Sequence, residues 1–207
     1  MYRKNRQNEF YTTLAKKEGY PARSVYKLKE IDEKYKIIKK GNRVLDLGSA
    51  PGSWLLYISQ KVGDKGKVVG VDVEETKIPQ KANIFFIKKD ILDLKKDDFR
   101  DKVEVVVSDL SPKTSGVKFL DAGKSLELAE KSFEIAKSVL LPGGNFVCKI
   151  FENESSDEFF KKVKNCFDFA KRFKPKAVIK KSKEFYIIGR GFTGFNVKFG
   201  FQTEVAR

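Results

Sequence analysis

Lys149 lies inside an apolar run, Phe146-Val147-Cys148-Lys149-Ile150-Phe151. Burying a lysine is costly unless an opposite charge accompanies it. Two carboxylates sit beside comparable runs. Asp109 follows Val103-Glu104-Val105-Val106-Val107-Ser108, and Glu184 precedes Phe185-Tyr186-Ile187-Ile188. A structural salt bridge would satisfy the lysine. So would an active site, because a lysine held between two carboxylates at the edge of a cleft is an arrangement suited to moving a proton. Partial desolvation lowers a lysine pKa while neighbouring carboxylates raise it, so the two influences oppose each other there.

The second chemical feature is Val44-Leu45-Asp46-Leu47-Gly48-Ser49-Ala50-Pro51-Gly52-Ser53-Trp54. An apolar run meets two glycines and a proline, then Trp54-Leu55-Leu56-Tyr57-Ile58 begins a helical pattern: strand, tight turn, helix. Glycine lets backbone N–H groups approach a ligand, and the helix N-terminus adds a positive dipole end. Gly48 and Gly52 are separated by Ser-Ala-Pro, which departs from the G-x-G-x-x-G dinucleotide fingerprint and disfavours a nicotinamide oxidoreductase. The pattern strand-Asp-x-Gly-x-x-x-Gly resembles the first motif of S-adenosylmethionine-dependent methyltransferases. Asp46 is expected to orient this loop rather than to touch substrate.

These residues need a scaffold, and the spacing supplies one. Strands are predicted at 43–47, 67–73, 84–88, 103–108, 145–151, 176–181 and 184–190, with helices over 53–61, 122–140 and 156–170. Alternation of strand and helix signals a parallel sheet with crossover helices. Only Ser182-Lys183 separates the last two strands, so they are predicted to pair as an antiparallel hairpin. Upstream, Phe10, Tyr11 and Leu14 mark one face of a peripheral helix or partly ordered arm over 3–18. Pro21-Ala22-Arg23-Ser24 opens a second helix, whose Val25, Leu28, Ile31 and Tyr35 should face the core, with Lys27 off that stripe. The expectation is a single 207-residue domain: a basic helical extension over 1–40, a core over 41–190 and a tail over 191–207.

In such a sheet, ligands bind at the carboxyl ends of the parallel strands. Asp46 to Gly52, Asp72, Asp90, Asp109 and Lys149 all fall at those ends, and Glu184, opening an antiparallel strand, falls at the same edge. Asp72 occupies the position where a Rossmann-like fold places a carboxylate on a ribose diol, against a plain turn role. Asp90 serves equally well as the cap before Ile91. Trp54 suits either core packing or contact with a bound cofactor.

The net charge is +15 with no histidine, which excludes histidine-based catalysis and histidine-containing metal sites. The charge is segregated. Residues 1–40 carry twelve Lys/Arg against five Asp/Glu, residues 161–207 thirteen against three, and the middle eighteen against twenty. Basic ends around a near-neutral core point to a polyanion, nucleic acid before membrane. Two cysteines, Cys148 and Cys166, make neither a disulfide framework nor a metal site. No apolar run approaches the roughly 20 residues of a membrane span, and no secretory signal follows Met1. A cytoplasmic monomer is expected.

Taken together, the motifs resemble the FtsJ/RlmE family of RNA ribose 2′-O-methyltransferases over about residues 20–190. The family's first lysine sits in Arg-Ser-x-x-x-Lys-Leu, here Arg23 to Leu28 with Lys27. Its aspartate sits in Ser-Asp-x-x-Pro, here Ser108 to Pro112 with Asp109, followed by Ser115-Gly116. Its second lysine closes Gly-Gly-x-Phe-Val-x-Lys, here Gly143 to Lys149. Its glutamate opens the last strand, here Glu184. The loop carries Ala-Pro-Gly-Ser-Trp where Ala-Pro-Gly-Gly-Trp is commonest. The resemblance implies a Rossmann-like class I fold, a mostly parallel seven-stranded sheet with an antiparallel last strand and helices on both faces. It implies S-adenosylmethionine as cofactor, no metal, and methyl transfer to an RNA ribose 2′-hydroxyl, most simply a uridine of large-subunit (23S-type) ribosomal RNA. Lys27, Asp109, Lys149 and Glu184 would be catalytic, with Lys149 the proton acceptor. Asp46, Gly48, Gly52, Trp54, Asp72, Asp90 and Asp109 would line the cofactor. Alternative readings are a transfer RNA anticodon-loop 2′-O-methyltransferase and a non-catalytic RNA-binding or ribosome-assembly protein. A base methyltransferase is disfavoured, because Asp109-Leu110-Ser111-Pro112 lacks the aromatic and double proline that would stack on an amine.

Overall fold

The structure, a computed structural model, describes residues 2–99, 101–113, 115–179 and 181–194. Most of the expected tail, 195–207, lies outside the described residues. In chain order the elements are α1 (Tyr2–Lys17), α2 (Val25–Tyr35), β1 (Arg43–Leu47), α3 (Ser53–Val62), β2 (Lys67–Asp72), β3 (Ile84–Lys88), β4 (Val103–Ser108), α4 (Lys118–Val139), β5 (Leu140–Phe151), α5 (Ser156–Lys164), β6 (Phe167–Phe173) and β7 (Glu184–Phe192). The seven strands form one sheet in the order β3-β2-β1-β4-β5-β7-β6. Pairing is parallel from β3 through β5, and β7 runs antiparallel to both its neighbours. The strand order reverses direction between β1 and β4, the switch point at which a doubly wound sheet opens a crevice.

Strand periodicity sorts the side chains onto two faces. Val44, Val68, Val105, Val107, Val147, Tyr186 and Ile188 meet Val25, Leu28, Ile31, Leu55 and Ile58 of α2 and α3. Leu45, Leu47, Val106, Phe146, Cys148, Ile150 and Ile187 meet Phe133 and Ala136 of α4 and Phe159 and Val163 of α5. The register then places the chemistry. Asp46 pairs with Gly70 and with Val107, and Lys149 pairs with Tyr186. Counting in twos, Asp46, Asp72, Asp109, Lys149, Glu184 and Tyr186 share the face covered by α2 and α3.

The α2 stripe is buried as its spacing predicts, Val25, Leu28, Ile31 and Tyr35 together. Its exit is fastened by Asp32, which is 2% exposed. The Asp32 carboxylate accepts from the Ile38 amide at 2.9 Å and the Tyr57 hydroxyl at 2.7 Å, and Lys61 Nζ lies 3.3 Å away. Burial and the Asp32 bond push the Tyr57 hydroxyl pKa up. Asp32→Ala strands two buried donors, so chemical denaturation of this variant should show a loss of about 2–4 kcal/mol.

Four expectations shift. On α1, Tyr11 and Leu14 pack on the core while Phe10 is exposed, since the buried stripe continues through Ala15. α4 begins at Lys118, earlier than residue 122. The helix expected over 156–170 ends at Lys164. Its buried stripe, Phe159, Val163 and then Cys166, is complete by that point, and three lysines crowd its last turn, where cations suit the helix dipole. Phe167 to Phe173 then become β6. The described residues of the strand expected over 176–181, 176–179 and 181, form no strand. Val178 N–H donates back to the Pro175 carbonyl and Ser182 N–H to that of Ile179, and Ala177 and Val178 are buried against the α2 side. The Lys176 amide donates to Glu30 on α2 at 2.7 Å, and Gln7 on α1 donates to the Lys176 carbonyl. The hairpin is therefore β6–β7, with Lys176, Ala177 and Val178 of its connection lying against the two N-terminal helices.

Candidate active site

Lys27, Asp109, Lys149 and Glu184 converge at the carboxyl edge of the sheet. Lys149 is 6% exposed. Its Nζ lies 3.3 Å from Asp109 Oδ1 and donates to the Asp109 carbonyl at 2.7 Å. Lys27 Nζ, delivered by α2, lies 2.6 Å from Glu184 Oε1 and 3.9 Å from Asp109 Oδ1. Two cations thus meet two anions in a partly desolvated recess, where the interaction is stronger than on open surface. Burial alone would raise the Asp109 carboxyl, but the Lys149 and Lys27 ammoniums and the Tyr186 hydroxyl outweigh it and hold the pKa below the ordinary range. For Lys27, burial pulls the pKa down while Asp109 and Glu184 carry it above the usual lysine value.

Tyr186 is the member that sequence reasoning missed. Its hydroxyl donates to Asp109 Oδ1 at 2.7 Å and lies 3.1 Å from Glu184 Oε1, joining the two carboxylates. Burial and both carboxylates drive its own pKa well up, so it remains a donor. The signal was present in Glu184-Phe185-Tyr186, since period two puts Tyr186 on the face of Glu184. Tyr186→Phe should leave the melting temperature within a few degrees and cut kcat roughly tenfold in a methyl-transfer assay, because one hydrogen bond to the buried anion is lost.

The glycine loop is held from outside. Gly48 and Ser49 amides donate to the Val71 carbonyl, and the Ala50 amide donates to Asp72 Oδ2 at 2.9 Å. Asp72 also accepts from Glu74 N–H at 2.9 Å. Asp72, not Asp46, therefore orients the loop, which corrects the sequence expectation. Gly52 has φ +109°, and a Cβ there would come within 2.6 Å of Ile78. The Ala50–Pro51 bond is cis.

Asp46 is fully buried, and both its carboxylate oxygens, like the Ser49 hydroxyl, lack a hydrogen-bond partner among the described residues. Burial, then Asp109 and Asp72, push the Asp46 carboxyl well above its ordinary pKa. A buried carboxylate without a partner, backed by two more, fits a ligand that brings positive charge and hydrogen-bond donors. The sulfonium and amino groups of S-adenosylmethionine have that character.

Two expected cofactor residues are engaged elsewhere. Asp90 accepts from the Leu92 amide at 2.9 Å, capping a short 3₁₀ turn. Trp54 is buried and its indole N–H donates to the Ser24 carbonyl at 2.9 Å, while Ser53 Oγ accepts from the Ala22 amide at 2.7 Å. These bonds tie the start of α3 to the entry of α2, and hence to Lys27. Among the described residues no His, Cys, Asp or Glu group is arranged to hold a metal ion, and no helix is long and apolar enough to cross a membrane.

The chain is 47% identical over 190 residues to the ribosomal RNA large subunit methyltransferase E of Desulfatibacillum aliphaticivorans, covering 90% of this chain and 91% of that one. It is 41% identical over 192 residues to the protein of the same name from Oleidesulfovibrio alaskensis, covering 90% and 92%. A solved Plasmodium falciparum chain, provisionally described as a ribosomal RNA methyltransferase, superposes with a TM-score of 0.74 at 26% identity, covering 84% of this chain and all of that one. The FtsJ-like methyltransferase family model matches residues 20–192. With the match spanning nearly the whole sheet and the entire charged cluster, the chain belongs to the FtsJ-like methyltransferase family.

Proposed function

We propose that this enzyme moves a methyl group from S-adenosylmethionine to the ribose 2′-hydroxyl of a uridine in large-subunit ribosomal RNA, working as a cytoplasmic monomer built on one catalytic domain with a basic extension over 1–40. The observation that carries the reading is the Lys149–Asp109–Lys27–Glu184 cluster lying on the same sheet face as the partnerless carboxylate of Asp46. S-adenosylmethionine supplies an already activated methyl group, so alignment and proton removal are the protein's share of the work. Gly48, Gly52, Asp46 and Asp72 would hold that cofactor, with Asp90 and Asp109 at the same edge and Trp54 bracing the loop from behind. Lys149, having first given its own proton to solvent, would accept the 2′-hydroxyl proton as that oxygen bonds to the methyl carbon and the methyl–sulfur bond breaks, the sulfur leaving as the neutral thioether. The Asp109 carboxylate and carbonyl hold Nζ in place beforehand and stabilise the ammonium that results. Lys27, clamped by Glu184, faces the substrate side, where it can meet ribose or phosphate oxygen. Selecting a 2′-hydroxyl selects RNA over DNA, and the basic ends supply attraction to phosphate. The relatives' names favour ribosomal RNA within that class.

The test is transfer from methyl-labelled S-adenosylmethionine to purified large ribosomal subunits and, separately, to total transfer RNA, followed by nucleoside digestion. Label recovered as a 2′-O-methyluridine from ribosomal RNA is the expected result. The same nucleoside type from transfer RNA keeps the chemistry and replaces the target, and a base-methylated product overturns the mechanism.

A further inference from the structure

One apolar feature beside the catalytic edge plays no part in the site described above. Phe119 is 82% exposed, more than any other large apolar side chain among the described residues, and Val117 and Leu120 beside it are each 52% exposed. The three stand where the loop leaving Asp109 becomes α4, whose N-terminus lies at the carboxyl edge of the sheet. The feature is held in place. Asp121 Oδ1 accepts from the Ser115 amide at 2.7 Å and the Ser115 hydroxyl at 2.9 Å. Asn153 donates to the Ala122 carbonyl at 3.0 Å, and the Phe151 amide donates to Ser125 at 3.0 Å. Phe151 is the last residue of the strand that carries Lys149, and Asn153 follows two residues later, so the platform is tied to the strand of the catalytic amine.

The surroundings are cationic. Lys113, Lys118 and Lys124 are exposed, while Asp121 is turned inward and consumed by Ser115. An open aromatic ring among lysines is the combination that binds single-stranded nucleic acid, the ring stacking on a base and the cations following the phosphates. The chemistry also creates the need. A nucleotide drawn into the sheet-edge recess leaves its stack, and its neighbour loses one stacked face. We propose that Phe119 replaces that lost face, stacking on the RNA base next to the target nucleotide, with Lys113 and Lys118 on the adjoining phosphates. The inference rests on RNA being the substrate of this site.

The test is equilibrium binding of the full chain to naked large-subunit ribosomal RNA and to assembled large subunits, each across a salt series. The variants are Phe119→Ala, Phe119→Leu, Phe119→Tyr and Lys118→Ala. Phe119→Ala should weaken binding to naked RNA about tenfold with an unchanged salt slope, since stacking releases no counterions. Phe119→Tyr should restore affinity and Phe119→Leu should not. Lys118→Ala should lower the slope by about 1. Unchanged affinity in Phe119→Ala, or full rescue by leucine, overturns the proposal. So does a loss confined to assembled subunits, which would place a protein against the patch. Phe119-dependent binding by a chain that transfers no methyl group overturns the catalytic reading alone.

Discussion

Lys149→Ala should reduce methyl transfer about 10²–10⁴-fold, the usual share of a positioned general base. Cofactor and RNA affinities should stay within about twofold of wild type, because the role proposed for Lys149 is in proton removal, while the glycine loop and the basic ends are left intact. Truncating one partner of a buried pair also destabilises, and here the cost is limited: Asp109 keeps the Tyr186 hydroxyl at 2.7 Å and Lys27 at 3.9 Å. Lys149→Met separates chemistry from folding, since it fills the same volume among Val147, Tyr186 and Ile188 without a nitrogen. Single-turnover transfer measured on both variants, each checked by thermal melting, decides the matter. Activity near wild type in Lys149→Met would move the proton to another group, with Lys27 next in line.

Asp46→Asn should act in opposite directions on stability and on binding. The wild-type carboxyl is buried without a partner and its folded pKa is raised by that burial, then by Asp109 and Asp72. A raised folded pKa means that its contribution is intact at pH values below the unfolded carboxyl pKa of about 3.9 and is lost as pH climbs through the folded pKa. The asparagine has nothing to ionise. Without cofactor, the two proteins should therefore melt alike near pH 4. At neutral pH the variant should be the more stable by about 1–3 kcal/mol, several degrees in melting temperature. With S-adenosylmethionine the order should reverse, because the anion facing the cationic ligand is gone. Calorimetric titration should show affinity falling at least about tenfold, the cost of one charge-assisted contact. Melting curves that overlay across pH would show that Asp46 is already neutral or solvated in the free protein.

Much of this site was readable because strand ends and period two are strong constraints. Asp109, Lys149 and Glu184 could be placed at one edge from chain order alone, since each borders an apolar run too short for anything but a strand. Lys27 was different. It lies off the buried stripe of α2, and only the family motif singled it out. The physical cause of its position is non-local: α2 is aimed by Trp54 bonding Ser24 and by Ser53 bonding Ala22, contacts that no periodicity announces. The loop contact expected of Asp46 falls to Asp72 for a similar reason. Both lie at the end of a strand beside the loop, Asp46 one residue before the last of β1 and Asp72 the last of β2, and which one meets the loop amides depends on the path of residues 48–51 past Val71. The strand misplaced at 176–181 has an equally local explanation. Ala177-Val178-Ile179 has strand-like composition, but the place beside β7 is taken by Phe167 to Phe173, whose Phe167 and Phe173 pair with Phe192 and Tyr186 in register. Nothing in Lys164-Asn165-Cys166 supplied a glycine or proline to announce where α5 stops.

The strand order has a consequence for synthesis. Among the described residues β7 is the last strand made, yet it sits between β5 and β6 in the sheet. Until residues 184–192 leave the ribosomal tunnel, β6 has no neighbour to pair with, β5 shows a bare edge, and Lys27 and Asp109 lack Glu184 and Tyr186. A nascent chain can thus complete its glycine loop long before its charged cluster closes. The chain then has a stage in which the glycine loop is built and the charged cluster is open, and closing that cluster depends on one late strand threading between two earlier ones.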